Sequence, residues 1–261
     1  EGLRSKAHPQ SRQGVDPVRP PFKALLRSAF WKLGFKVYAR RNLPVGNVLA
    51  FDIGQDVDLD SMRWVLDVGA NVGQAALFLR ESFPACRLHS FEPVPQAFDA
   101  LVRNVPRAPW FHPHRLALGS APGRRRIYLQ SRSRFNSLAS KINRPDPAMN
   151  GAQVEVDIDT LDAFCEREGI DRVDFLKIDA EGFELEVLEG ARGLLERGAI
   201  RYVFVEITFN AQSEERYTPY EAVDRVLRPF GFLLRAVYHQ ATNEKRHMAY
   251  ADALFVRSES P

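Results

Sequence analysis

The sequence predicts an α/β domain on a Rossmann-like sheet, mostly parallel with an antiparallel final strand, plus an N-terminal helical extension. Three observations carry this. Trp64–Arg80 reads as a buried strand, a tight glycine loop and an amphipathic helix. Beyond it, short apolar runs alternate with helical patterns, as in a parallel sheet covered by helices. Finally, Phe232–Tyr238 and Ala251–Val256 are strand-like and separated by a loop of ~12 residues, too short for a right-handed crossover, so they pair antiparallel.

A chain of 261 residues is long enough to bury one large α/β core with little left for a second domain. Residues 1–21 are rich in Pro, Arg, Ser and Gln and read as a mobile tail. Residues 22–60 form the N-terminal extension. Within it Phe22, Leu25, Leu26, Ala29, Phe30 and Leu33 recur at helical spacing, with Lys23, Arg27, Lys32 and Lys36 largely on other faces and Gly34 as a stop. Such a basic amphipathic helix suits a membrane surface, or docks on its own domain. Val37–Asp60 has short β-like pieces and turn residues.

The main domain is expected over residues 61–258. Trp64–Val68 is its first strand, and the glycine-loop helix ends near Phe83-Pro84. Arg87–Glu92 is the second strand, followed by a helix over Val94–Val105. A third strand lies within Phe111–Leu118, and Arg124–Gln130 and Gln153–Ile158 alternate like half-exposed strands joined by a long polar loop. Thr160 caps a helix running to Glu168. Val173–Asp179 is the fourth core strand, Phe183–Gly190 a helix, Tyr202–Glu206 the fifth strand and Tyr220–Leu227 the last helix.

The glycine loop reads G-x-x-x-G. It lacks the G-x-G-x-x-G of dinucleotide binders and the Lys-Ser/Thr of a P-loop, so a pyrophosphate is not the expected guest. Gly69 permits a turn that a side chain would block, and Gly73 is expected to bring the helix start close to a ligand. Asn71 is of a residue type that tolerates a left-handed turn. Asp67 ends the first strand and Glu92 the second, about 25 residues later, where an acid commonly takes ribose hydroxyls. A nucleoside with a cationic appendage fits that pair, and S-adenosylmethionine is such a molecule. The bland alternative is a loop cap at Asp67 and a solvated strand end at Glu92.

Other classes lose ground. The net charge of +3 is too small to argue for nucleic acid, and no apolar run approaches the ~20 residues of a membrane span. Cys86 and Cys165 are far apart with no CxxC partner, so a reducing cytoplasm is the expected compartment. His112 and His114 alternate on one strand face, but two neutral ligands without a third make no metal site, and none is expected.

The segment Val173-Asp-Phe-Leu-Lys-Ile-Asp-Ala-Glu-Gly-Phe-Glu-Leu-Glu-Val-Leu-Glu-Gly190, with Asp67-Val-Gly-Ala-Asn-Val-Gly73, Phe91-Glu-Pro93 and Thr160-Leu-Asp162, resembles the FkbM-type methyltransferase family. The resemblance spans roughly residues 64–230, and Leu33-Gly-Phe35 and Asn42-Leu-Pro44 are similar to some members' leading regions. It implies a class I methyltransferase sheet and an S-adenosylmethionine-dependent enzyme modifying hydroxyls on small molecules, sugars and secondary metabolites. It further implies that Asp67, Gly69, Asn71 and Gly73 surround the methionine part of the cofactor, that Glu92 takes the ribose, and that Ala117, in the turn Leu116–Gly119, flanks the adenine. Asp179 then lies beside the transferred methyl, with Glu181 and Gly182 in the next turn.

Methyl transfer to an alcohol needs alignment, exclusion of water and a base near the hydroxyl. Asp179 and Glu181 are the first candidates and His239 the third, with Glu206 as an orienting group; Glu181 equally suits the helix N-terminus it precedes. The Asp-Ala-Glu-Gly turn differs from the Asn/Asp-Pro-Pro-Tyr/Phe of adenine-methylating enzymes, and Glu206-Ile-Thr differs from the Asp-Asn magnesium pair of catechol-type enzymes. Arg124–Arg144 holds Arg132, Arg134 and Lys141 with no acid among them, beside Ser131, Ser133, Asn136 and Ser137. It reads as a loop over the site, either merely solvated or a clamp for an anionic acceptor such as a phosphate-linked or uronic-acid glycan. A carboxyl or amino acceptor, or a non-catalytic cofactor-binding partner in a biosynthetic complex, are the rival readings. Acceptor identity and oligomeric state have no readable motif.

Overall fold

The computed structural model describes residues 22–39, 42–133, 136–140, 142–210 and 217–258, and the chain divides after Pro44 into two compact units. The expected tail, residues 1–21, lies outside the described residues. In the first unit, α1 (Phe22–Lys32) ends as expected at Gly34, which takes φ +84°, while the Phe35 amide turns back onto the Phe30 carbonyl at 2.8 Å.

The second unit opens on α2 (Leu49–Ile53). Leu49 and Ile53 are buried in one cluster with Met62, Val65 and Tyr238. Asp52 is buried beside them and accepts from the Gly46 amide and the Tyr238 hydroxyl, both at 2.7 Å. Residues 45–60, expected in the N-terminal extension, therefore fold with the sheet. A helix of five residues is too short for periodicity to reveal.

The elements then follow in the order β1 (Trp64–Val68), α3 (Gln74–Ser82), β2 (Arg87–Phe91), α4 (Pro95–Asn104), β3 (Phe111–His114), β4 (Ala117–Leu118), β5 (Gly123–Tyr128) and β6 (Gln153–Asp159). After them come α5 (Leu161–Glu168), β7 (Val173–Ile178), α6 (Glu184–Glu189), α7 (Arg192–Glu196), β8 (Ile200–Ile207), α8 (Tyr220–Leu227), β9 (Phe232–Thr242) and β10 (Met248–Arg257). The expected third strand splits: β3 joins the main sheet and β4 a small one of order β4-β6-β5. The main sheet has the order β3-β2-β1-β7-β8-β10-β9. Its pairs are parallel except where β10 enters between β8 and β9, antiparallel to both. The final strand pair is thus antiparallel, as the short loop requires.

Alternation along the central strands divides the core between the two sheet faces. Leu66, Leu176 and Val203 pack with α5–α8 residues such as Phe164, Val187, Leu194 and Val223. Their neighbours Val65, Phe175 and Phe204 pack with Ile53, Leu79 and Leu101 on the other face. β7 is buried along its whole length, including two charged residues. Asp174 is satisfied by the Arg63 and Trp64 amides at 2.8 and 3.0 Å; Lys177 points toward the sheet's carboxyl edge and belongs to the site.

Candidate active site

The parallel strands β1, β2, β7 and β8 end on one side of the sheet, where open α/β folds place their ligands. β1 leads into the glycine loop. Gly69 takes φ +79° and Asn71 φ +46°. A Cβ on Gly69 would stand 1.8 Å from the Asp179 carbonyl oxygen, so glycine here lets the loop lie directly against the turn after β7. Gly73 has another reason: its Cβ would stand 2.7 Å from Val105 Cγ2. It serves the packing of α3 against the end of α4, and does not line the cavity as expected.

Glu92 follows β2 and is 7% exposed. Its two oxygens accept from the Asn71 amide at 3.0 Å and the Val94 amide at 2.8 Å. Burial pushes its pKa up to about 7 despite those hydrogen bonds, with Asp67 and Asp179 adding repulsion. A carboxylate has about four acceptor positions, so two stay available for a ligand.

A cavity of about 470 Å³ opens along these strand ends. Gly69, Asn71, Glu92, Asp179 and Glu181 line it, as does Glu206. Asp67, Ala117 and His239, expected at the site, lie outside its wall. Asp67 is fully buried, with Oδ1 at 3.2 Å from Lys177 Nζ and Oδ2 accepting from the Ser90 hydroxyl at 3.3 Å. It is a support beneath the loop. Ala117 packs into the small-sheet cluster, and its neighbour Leu118 reaches the cavity instead. His239 sits behind the wall, its Nδ1 at 2.6 Å from Oδ2 of Asp252, which does line the cavity.

Lys177, Asp252, Tyr217 and Tyr250 are among the cavity residues that sequence reasoning missed. Lys177 Nζ is 3.4 Å from Asp179 Oδ2 as well as 3.2 Å from Asp67. Burial works against its charge, but Asp67, Asp179 and Asp252 outweigh it and raise its pKa. Asp179 is raised by burial, partly offset by Lys177 and reinforced by Asp252. Burial, together with Asp179, Glu181, Glu184 and Asp252, pushes Glu206 up to about 10. Lys177 was visible within the Lys-Ile-Asp block, two residues before Asp179 and so on the same strand face.

The turn after β7 is held by a second buried acid. Glu184 accepts from the Ala180 and Gly182 amides, each at 3.0 Å, and from the Thr218 hydroxyl. Glu184 thus satisfies the amides at this helix start, while Glu181, at φ +51°, faces the cavity. The long β5–β6 loop supplies Ser133, Asn136, Ser137 and Leu138 to the cavity wall. Ser133 donates to Asn71 Oδ1 at 3.1 Å and Ser137 to the Glu181 carbonyl at 2.6 Å. Of the basic residues considered for a clamp, Arg134 and Lys141 lie outside the described residues. Arg132 is exposed and does not line the cavity, and Arg124 pairs with Asp157 at 2.9 Å. His112 and His114 stack with His89, whose Nδ1 is 3.0 Å from His114 Nε2. Burial and the neighbouring histidines push His89 down to about 3 and His114 to about 4.

A mainly parallel seven-stranded sheet with its single reversed strand in the next-to-last place, and a carboxylate-lined cavity at the strand ends, defines a class I methyltransferase fold. The chain belongs to the family described as the methyltransferase FkbM domain, which matches residues 67–238. It is similar to the 31-O-demethyl-FK506 methyltransferase FkbM of Streptomyces tacrolimicus, 30% identical over 175 residues that cover 55% of this chain and 64% of that protein. It is similar also to the methyltransferase sdnD of Sordaria araneosa (27% over 160 residues, 51% and 62%). A third relative is the hexuronic acid methyltransferase AglP of Haloferax volcanii (28% over 154 residues, 59% and 58%). The matches thus span about three fifths of these relatives' lengths. Among the described residues no helix is long and apolar enough to cross a membrane.

Proposed function

We propose that this chain transfers a methyl group from S-adenosylmethionine to a hydroxyl of a sugar or secondary metabolite. The observation that carries the reading is Glu92, a buried carboxylate at the end of β2 that faces the cavity with lone pairs to spare beside the glycine loop. The donor set suits the cofactor. Two free acceptor positions match a vicinal diol, and the carboxylates Glu92, Asp179 and Asp252 favour a ligand carrying positive charge. The volume lies within the usual ~300–1,000 Å³ of cofactor sites.

When bound, S-adenosylmethionine supplies an electrophilic methyl group on a sulfonium. Glu92 would take the ribose hydroxyls, Gly69 and Asn71 would border the methionine part, and Leu118 would flank the adenine. Asp179 and Glu181 would stand where donor and acceptor meet. The β5–β6 loop, tied to Asn71 and to Glu181, would help exclude water and fix the acceptor's approach. The similarity to the 31-O-demethyl-FK506 methyltransferase supports an oxygen acceptor. The similarity to a hexuronic acid methyltransferase supports an anionic one as the finer reading. Two buried free thiols, Cys86 and Cys165, accord with a cytoplasmic setting.

Titration calorimetry tests the donor directly. S-adenosylmethionine should bind at one site, and Glu92→Ala should weaken it at least tenfold. Absence of heat with the unaltered protein would refute the reading.

A further inference from the structure

We propose, resting on the methyl-transfer reading above, that Asp252 takes the proton from the acceptor hydroxyl, and that His239 is the positioning residue that keeps Asp252 ready to do so. Strand register places three carboxylates side by side at the cavity. Asp179 follows Ile178, which pairs with Val205; Glu206 follows Val205 and pairs with Asp252. All three line the cavity, but their partners differ. Asp179 is tied to Lys177 at 3.4 Å. Glu206, pushed up to about 10 by burial and by the acids around it, holds its proton at neutral pH and has no room for another. Asp252 alone of the three has a histidine, with Nδ1 at 2.6 Å from its Oδ2.

The setting of that histidine supports a role beyond packing. His239 lies within β9 yet adopts φ +44°, a conformation that a non-glycine residue holds at a cost and that clusters at functional sites. The β9–β10 register shifts between Tyr250 and Asp252, so the irregularity falls where the two side chains meet. Phe78 and Phe204 meet the imidazole edge-on at 5.8 and 6.2 Å. The His239 side chain is 57% exposed and that of Asp252 only 19%, so the pair joins the cavity to solvent. The groups facing Asp252 are Lys177 and Asp179 from β7 and its following turn, Glu206 from β8 and His239 from β9. The hydrogen bond to Asp252 raises the His239 pKa against the effect of burial.

The acceptor oxygen forms its bond to the methyl carbon, the sulfur–carbon bond breaks with its electron pair staying on sulfur, and the hydroxyl proton passes to the free oxygen of Asp252. That proton leaves to water as the product departs. His239, bonded at Oδ2, holds the carboxylate in place for the next turnover.

The test measures S-adenosylhomocysteine release from S-adenosylmethionine, with methyl hexopyranosides and methyl hexuronides as probes, and an NMR titration of the His239 ring in the same proteins. Asp252→Asn should lower kcat at least a hundredfold, the scale of a general base. His239→Gln should lower kcat about tenfold with acceptor KM within about threefold, because Asp252 then lacks the partner that positions it. The His239 midpoint should fall toward ~6.5 in Asp252→Asn, a readout that needs no acceptor. A kcat within threefold of the unaltered protein in Asp252→Asn, or an unmoved His239 midpoint, would overturn the proposal. Failure of the methyl-transfer reading is distinct: the unaltered protein then binds no S-adenosylmethionine.

Discussion

Replacing Lys177 with methionine removes an ammonium that faces two carboxylates at 3.2 and 3.4 Å while keeping most of the apolar stem. The Lys177 side chain is 9% exposed and that of Asp67 fully buried, so water cannot take over the lost interaction. Removing one partner of such a pair costs about 3–5 kcal/mol, because the other charge stays buried without compensation. Asp179, with its side chain 36% exposed, contributes little to that figure after solvent screening. With a urea m-value of roughly 2–3 kcal/mol/M, the unfolding midpoint should fall by about 1–2 M. Asp67→Asn in the same chain removes the stranded charge. The double variant should therefore be more stable than the sum of the singles by at least ~1 kcal/mol, the coupling expected for residues in contact. Urea denaturation of the four proteins of this cycle measures both quantities. A loss under ~1 kcal/mol for Lys177→Met, or additivity within ~0.5 kcal/mol, would refute the view that Asp67 supports the loop through Lys177.

Two further outcomes follow from the site. Glu92 titrates near 7 in the folded protein against 4.5 ordinarily. The folded state therefore holds a proton that the unfolded chain has released across pH 4.5–7, and stability falls as pH rises through that window by up to about 3 kcal/mol. Thermal unfolding against pH should show this slope and Glu92→Gln should flatten it; an unchanged slope in the variant would assign it elsewhere. Gly69→Ala places a methyl group on the Asp179 carbonyl at a positive φ. It should cost at least ~2 kcal/mol and abolish S-adenosylmethionine binding, and calorimetric affinity within threefold of the original would contradict the proposed donor site.

Local runs made much of this protein legible. Trp64–Gly73 and Val173–Gly190 each hold a strand, a turn and a helix start in continuous sequence, so their apolar patterns and glycines could be read without knowing their neighbours. The reversed β10 followed from a loop too short for a crossover. What escaped depends on tertiary partners. Asp67 looks like a ligand contact until Lys177, on the paired strand, claims it. Asp252 and Tyr250 lie on a strand whose entry between β8 and β9 brings them to the cavity, and nothing in Met248–Arg257 announces that position. Ala117 and Leu118 exchanged roles because a strand of two residues leaves its facing to the small sheet it joins. Val45–Asp60 reads as part of the extension because α2, five residues long, is too short to show which face it buries.

The contact between Gly69 and the Asp179 carbonyl bears on how this chain can be altered. Two segments far apart in the chain are shaped to each other with no space for a single carbon between them. Neither can be redesigned alone. A glycine loop of another shape would meet the turn after β7, so the two must be exchanged as one part.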